Sequence, residues 1–287
     1  MKTSFRYTRN RLRQFIKSKQ FIAFLLFTIA NSMAVILPLR RMCSDVGYRI
    51  GLGYFPLFIC GEHDTFLLMG AALLFADAPF IKALTPYELI RSDKRSLFIG
   101  HCLYIMLLSI LYIVFLFAVS FLLLIPYVCV TEGWGKLISS VFLANLDWQY
   151  SLGFFKYKLV LFDAFTPWEL LWCTVLMNIL QYCLLGFVMQ ALALNFPKRK
   201  FVHGIFTLAY IFSPHVVRAF GTMSWYKFFP ASWLDMFTLD FKNNSAGKLI
   251  TLTESYIVLL VIIGLAVLFS LRPVQKEDIY NYLGESK

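Results

Sequence analysis

The chain has 287 residues, of which 59% are hydrophobic, 18% aromatic and 15% charged, and its formal net charge is +11. Soluble domains are about 45–50% apolar and about 25% charged, so this composition excludes a disordered chain and argues strongly against a soluble enzyme. In a membrane protein, a basic balance is typical of cytoplasmic loops that face anionic lipid rather than of nucleic-acid binding.

Six apolar stretches are long enough to cross a bilayer, which takes about 20 residues. They lie at residues 21–37, 65–81, 99–125, 168–194, 201–217 and 253–271. The second and fifth are the weakest, because both are short and contain polar residues. The sequence therefore predicts an all-α polytopic membrane protein. Residues 1–20 precede the six-span domain of residues 21–271, and residues 272–287 form a cytoplasmic tail.

The distribution of basic residues predicts the orientation of these spans. With the N-terminus inside, the inner segments contain 17 Lys and Arg in 59 residues, whereas the outer segments contain 10 in 102. The prediction is a multi-pass protein of the cell membrane with both termini in the cytoplasm.

The first 20 residues contain seven basic residues and no acidic one. Helical spacing places four apolar residues on one side, away from most of the basic ones: Phe5, Leu12, Phe15 and Ile16. The pattern predicts an amphipathic helix that lies in the inner membrane interface. The alternative is a solvated basic tail that only enforces topology.

The link between the second and third spans has the pattern of a short cytoplasmic helix. Thr85 is a good helix cap, Pro86 fits the first helical position and Glu88 follows Thr85 by three residues. The same pattern recurs at Thr166, where the fourth span begins. The mixed charge of the link favours a protein partner over plain lipid, and the alternative is a connector without a partner.

The outer segment before the sixth span is rich in aromatic residues. Its part 228–239 is too apolar for a free loop and too short to span. It is predicted to form a re-entrant or interface-lying helix, the alternative being an aromatic belt at the membrane boundary.

Motifs for autonomous chemistry are absent from the sequence. Gly135-Lys136 and Gly247-Lys248 are each followed by Leu, so neither is a Walker A motif. No metal site is predicted, since Glu62-His63-Asp64, the only local cluster of metal-ligand residues, is expected to be ordinary surface. The six cysteines are scattered, and a disulfide between Cys43 and Cys60 is an open alternative.

Polar residues within apolar stretches are functional candidates, because they are costly in lipid. The predicted pathway groups are Asn178, Gln181, Asp77 and Asn31. Asn178 and Gln181 share a helix face, and the competing interpretation is hydrogen bonding between helices. His101 and His203 are the acid–base candidates of an alternative function, a membrane-embedded lipid-modifying enzyme.

These features together resemble the ABC type-2 permeases. The chain is similar to that family in its basic interfacial helix, its six spans with both ends inside, its helical cytoplasmic link and its apolar outer segment. The local similarity runs from Asp77-Ala78-Pro79-Phe80 through Thr85-Pro86 and the basic stretch to Gly100. The acidic run that often precedes the turn in that family is absent here.

The resemblance implies a permease subunit of an ATP-binding-cassette exporter, with residues 1–20 as connecting helix. It implies a separate ATPase subunit that binds ATP and Mg, a second identical or homologous membrane subunit, contact with membrane lipids, no nucleic acid and no cofactor in this chain. The substrate would be peptide or lipid-like. The coupling helix that contacts the ATPase would contain Pro86, Tyr87, Glu88, Leu89, Ile90, Arg91, Asp93 and Arg95. A non-catalytic membrane sensor or assembly protein is a further alternative.

Overall fold

A computed structural model describes residues 2–60, 63–78, 94–130, 133–144, 152, 159–196, 200–241 and 249–275. Within these ranges the chain is mostly helical. The helices are α1 (Lys2–Ile16), α2 (Lys19–Val46), α3 (Tyr54–Ile59), α4 (Asp64–Phe75), α5 (Lys94–Leu124), α6 (Gly135–Ala144), α7 (Leu159–Ala164), α8 (Pro167–Asn195), α9 (Lys200–Phe220) and α10 (Leu252–Gln275). The strands, of two residues each, are β1 (Ile50–Gly51), β2 (Val128–Cys129), β3 (Leu239–Asp240) and β4 (Ile250–Thr251).

Among the residues that the structure describes, four helices are long and apolar enough to cross a membrane: α2, α5, α8 and α10. They confirm four of the six predicted spans, the first, third, fourth and sixth. The other two spans are not confirmed. Helix α4 has 12 residues and is about 18 Å long, short of the roughly 30 Å hydrocarbon layer. Helix α9 has 21 residues but includes Pro214 and Arg218 and is not among the four.

The sequence pattern predicts that the first span ends at Pro38, and this prediction is wrong. Helix α2 continues through this proline to Val46 and ends at Gly47, whose φ of 71° is the left-handed conformation that glycine adopts easily. The turn after the proline buries Leu39, Met42 and Cys43. That burial offsets the hydrogen bond that proline removes from a helix interior.

Helix α8 is the central element of the bundle and packs against α10, α5, α4 and the short α3. Its start follows the predicted cap: Thr166 accepts a hydrogen bond from the Glu169 amide, and the Glu169 carboxylate accepts one from the Thr166 amide. Every residue of α3 is buried. Both parallel strand pairs, β1 with β2 and β3 with β4, lie next to helix ends on the predicted outer side.

Between α9 and α10, the described residues 221–241 contain three short 3₁₀ helices, Met223–Phe228, Pro230–Leu234 and Met236–Thr238, and the predicted single re-entrant or interface-lying helix over 228–239 is wrong. Side chains take up its backbone groups, since Trp233 donates to the Tyr226 carbonyl and Thr238 to the Ser232 carbonyl. Such bonds compete with regular helix. The middle turn is buried against α8 and α9.

Candidate functional site

The predicted coupling residues from Pro86 to Asp93 lie outside the described residues, and their role stays a prediction. Arg95, the last of the set, is exposed in the first turn of α5. The elements that flank the link are described, however. Helix α4 ends before it, α5 begins after it, and α1 packs against α5. The contact between α1 and α5 is the candidate functional site, called the α1–α5 junction below.

The residues of α1 form three stripes along the helix. A buried stripe consists of Ser4, Tyr7, Thr8, Arg11 and Phe15, of which Tyr7 and Thr8 bond to α5. An exposed apolar stripe consists of Phe5, Leu12 and Ile16, with Leu12 partly buried. A basic stripe of exposed side chains consists of Arg6, Arg9 and Arg13, and the exposed Lys17 follows directly after the last residue of α1.

This arrangement corrects the predicted apolar side of α1. Phe5 and Ile16 are 69% and 51% exposed, but Phe15 is 2% exposed and belongs to the hydrophobic core. A helical-wheel projection of α1 could not show that Phe15 is buried, because the residues that cover it belong to other parts of the chain. Its ring packs edge-on against Phe21 at the start of α2.

Hydrogen bonds fasten the buried stripe of α1 to the beginning of α5. Thr8 Oγ1 donates to the Gly100 carbonyl at 3.0 Å. Arg11 Nε donates to the Tyr7 hydroxyl at 2.8 Å, and this hydroxyl lies 3.0 Å from His101 Nε2. Because arginine only donates, the Tyr7 oxygen accepts from Arg11, while the direction of its bond to His101 follows the tautomer of the histidine. The junction therefore contains a hydrogen-bonded chain of three polar side chains.

Gly100 allows the two helices to approach this closely. A Cβ atom at this position would lie 2.7 Å from Tyr7 Cδ1 and 3.3 Å from the Ser4 carbonyl oxygen. Any larger residue would push α1 away from α5. Gly100 and His101 stood out in the sequence, whereas Tyr7, Thr8 and Arg11 were missed, although Tyr7 and Arg11 are spaced i, i+4 and so share one face of a helix.

Asn178 and Gln181, the predicted pathway groups, are fully buried and bonded within the chain. Asn178 Nδ2 donates to the Thr174 and Ile59 carbonyls, and its Oδ1 accepts from the Tyr182 hydroxyl at 2.8 Å. Gln181 joins α8 to the Pro230 carbonyl and accepts from Tyr210 of α9. These bonds support the interpretation that the two side chains connect helices.

The other polar candidates do not join this pair. Asn31 is half-buried on α2 and Asp77 is half-buried just after α4. Among the described residues, no hydrogen bond connects either to Asn178 or Gln181. His101 belongs to the α1–α5 junction, whereas His203 lies on α9, so the two histidines sit on different helices.

A buried ion-pair cluster connects three elements at the predicted outer end. Arg218 Nη2, near the end of α9, lies 2.8 Å from Asp64 Oδ2 and 3.1 Å from Asp235 Oδ2. Asp64 also accepts from the Thr65 amide, and Thr65 Oγ1 lies 2.9 Å from His215 Nε2. The expectation that residues 62–64 are ordinary surface is wrong for His63 and Asp64, which are buried.

Asp64 stands outside the four long apolar helices. Its burial raises the pKa of the carboxyl to about 7, while Arg218 pulls the pKa down and Asp235 pushes it up. Two carboxylates share one guanidinium here, so protonation of one of them leaves the cluster neutral. The sequence did contain a signal for this ion pair: Asp64 and Arg218 have opposite charges and lie at the ends of two apolar stretches on the same predicted side of the membrane.

Within the described ranges, no group of three His, Cys, Asp or Glu side chains is arranged to hold a metal ion. All six cysteines, including the buried Cys43 and Cys60, are free, so the alternative of a bridge between these two is wrong.

Comparison of the chain with protein-family models, curated proteins and solved structures finds no match. The class that the fold defines is a mostly helical protein whose four long apolar helices indicate that it is embedded in a membrane.

Proposed function

We propose that this chain is the membrane-spanning permease subunit of an ATP-binding-cassette exporter. It would lie in the cytoplasmic membrane with six spans and both termini inside, pair with a second identical or homologous membrane subunit, and couple to a separate ATPase subunit that binds ATP and Mg. The substrate class would be peptide or lipid-like.

The observation that carries the proposal is the α1–α5 junction. The helix that begins directly after the cytoplasmic link is fastened to α1 by Thr8, Tyr7 and the close approach at Gly100. Gln20, in the first turn of α2, donates to the Leu73 carbonyl near the end of α4, on the other side of the link. A force applied to the link would therefore reach α1, α2, α4 and α5 together.

The sequence has no Walker A motif, which agrees with a separate ATPase subunit, because an ABC transporter needs an ATPase. Closure of the ATPase subunits around ATP would push on the link through residues 86–95. The packed helices on both sides of the link would shift as a unit and change access to a pathway between the two membrane subunits.

Charge reversal in the link tests the proposal. A tagged chain is purified with its ATPase partner, and ATP hydrolysis by the complex is compared for wild type, E88K, R91E and the control K136E. Lys136 is exposed near the start of α6, away from the link. We expect E88K and R91E either to stop stimulating ATP hydrolysis or to stop binding the ATPase subunit. K136E should behave as wild type.

Normal assembly and wild-type ATPase stimulation in both link variants would contradict the proposal. Purification of the chain without any ATPase from its native cells would also contradict the proposal. The second result would instead favour a sensor or assembly protein, whose complexes do not depend on ATP.

A further inference from the structure

The exposed side of α1 has features that its packing against α5 does not explain. At about 100° per residue, the buried, apolar and basic stripes occupy adjacent arcs around the helix. The apolar stripe lies between the other two. With its buried stripe fixed against α5, α1 presents Phe5 and Ile16 on one exposed side and the four basic side chains next to them.

Charge complementarity identifies the chemistry of the partner. Arg6, Arg9, Arg13 and Lys17 are all exposed, and no acidic residue occurs in the first 44 positions. An apolar stripe bordered by cations matches the boundary of a lipid leaflet whose headgroups carry phosphate and negative charge. A protein partner would need an acidic face combined with an apolar ridge, whereas an anionic leaflet offers both along the whole length of α1.

We propose that α1 is a preorganised binding platform for anionic phospholipid. Phe5, Leu12 and Ile16 enter the acyl boundary of the inner leaflet, and the basic stripe binds the headgroups. Because Tyr7, Thr8 and Gly100 hold α1 on α5, the helix is already ordered before lipid binds, and binding does not bear the cost of ordering it. This inference concerns α1 alone and does not rest on the proposed transport function.

The test uses the full chain, purified in zwitterionic micelles that receive increasing mole fractions of phosphatidylglycerol or phosphatidylcholine. A ligand that binds the folded state raises the Tm, so the mole fraction of lipid needed for a given rise reports relative affinity. Each basic residue near an anionic surface strengthens association roughly fivefold. We therefore expect R9A/R13A to need about 25 times more phosphatidylglycerol than wild type for the same rise in Tm.

Two matched variants control the experiment. R9K/R13K keeps both charges and should respond as wild type, which separates charge from side-chain shape. R41A/R49A removes two exposed cations on the predicted outer side and should also respond as wild type. High salt should weaken the effect of phosphatidylglycerol, because salt screens exposed charges.

Equal stabilisation of wild type by phosphatidylglycerol and phosphatidylcholine would overturn the proposal. An equal loss in R41A/R49A and R9A/R13A would overturn it as well, because the lipid would then respond to total charge and not to α1. A response of R9A/R13A identical to that of wild type would show that the basic stripe does not bind headgroups.

Discussion

Substitution of Gly100 by alanine tests the α1–α5 junction most sharply. The new Cβ would lie 2.7 Å from Tyr7 Cδ1, whereas ordinary contacts lie at 3.4–4 Å. The Tyr7 ring cannot retreat without stretching its hydrogen bonds with Arg11 and His101. Overpacking costs about 1–3 kcal/mol, and each weakened hydrogen bond about 0.5–1.5 kcal/mol. Alanine recovers about 1 kcal/mol of helix propensity, which leaves a net cost of about 1–5 kcal/mol.

We expect this cost to appear as release of α1 from α5. Trypsin cleaves after exposed Arg and Lys, and α1 contains several such residues on its basic stripe. If α1 opens locally before it is cut, a cost of about 1–5 kcal/mol accelerates cleavage at least about fivefold. The assay is a time course of limited trypsin digestion in detergent, with cleavage sites identified by mass spectrometry.

Gly264 provides the matched control, because a Cβ there would meet nothing within 4 Å. G264A, also in a long apolar helix, should leave both the digestion of α1 and the Tm unchanged or raise the Tm slightly. Identical digestion of α1 in G100A and G264A would refute the reasoning that Gly100 sets the distance between α1 and α5.

The remaining predictions concern the bundle and its outer cluster. Because burial raises the pKa of Asp64 to about 7, the folded state binds this proton more tightly than the unfolded chain, so this group makes stability fall as pH rises from about 4 to about 7. D64N should remove that slope from a plot of Tm against pH, and an unchanged slope would contradict the assignment. A Cβ on Gly70 would lie 2.1 Å from Tyr112 Oη. G70A should therefore lower the free energy of unfolding by about 1–3 kcal/mol. In a double-mutant cycle followed by thermal unfolding, the loss in G70A/Y112F should be at least about 1 kcal/mol smaller than the sum of the two single losses. Strict additivity of the two losses would count against the contact. N178L should cost about 1–3 kcal/mol because it leaves buried partners unsatisfied, whereas N31L, at a half-buried position, should shift the Tm less; equal shifts would contradict the network.

Features that depend on local sequence were predictable. Long apolar runs gave four helices, because crossing lipid requires length and apolarity in one continuous segment. The start of α8 was readable from Thr166 and Glu169, since a capping box is complete within four residues. The sequence also predicted an amphipathic helix near the N-terminus, and a helix occupies Lys2–Ile16.

Features that depend on distant partners were not predictable from one sequence. Tyr7 meets His101 across 94 positions of the chain, and Arg218 meets Asp64 across 154. Periodicity identifies the faces of a helix but not what covers each face, so Phe15 was assigned to lipid although it is buried in protein. The continuation of α2 beyond Pro38 has the same cause, because only tertiary burial offsets the proline.

The proposed coupling of this chain to an ATPase subunit is tested by the composition and the ATP hydrolysis of the complex that contains it. A tagged chain is purified in mild detergent, its partners are identified by mass spectrometry, and ATP turnover is measured before and after the R91E change in the link. We predict a stoichiometric partner with a Walker A motif, whose ATP hydrolysis is stimulated by the wild-type chain and not by R91E. A well-folded chain that purifies with no nucleotide-binding partner, or one whose partner hydrolyses ATP equally with R91E, would contradict it.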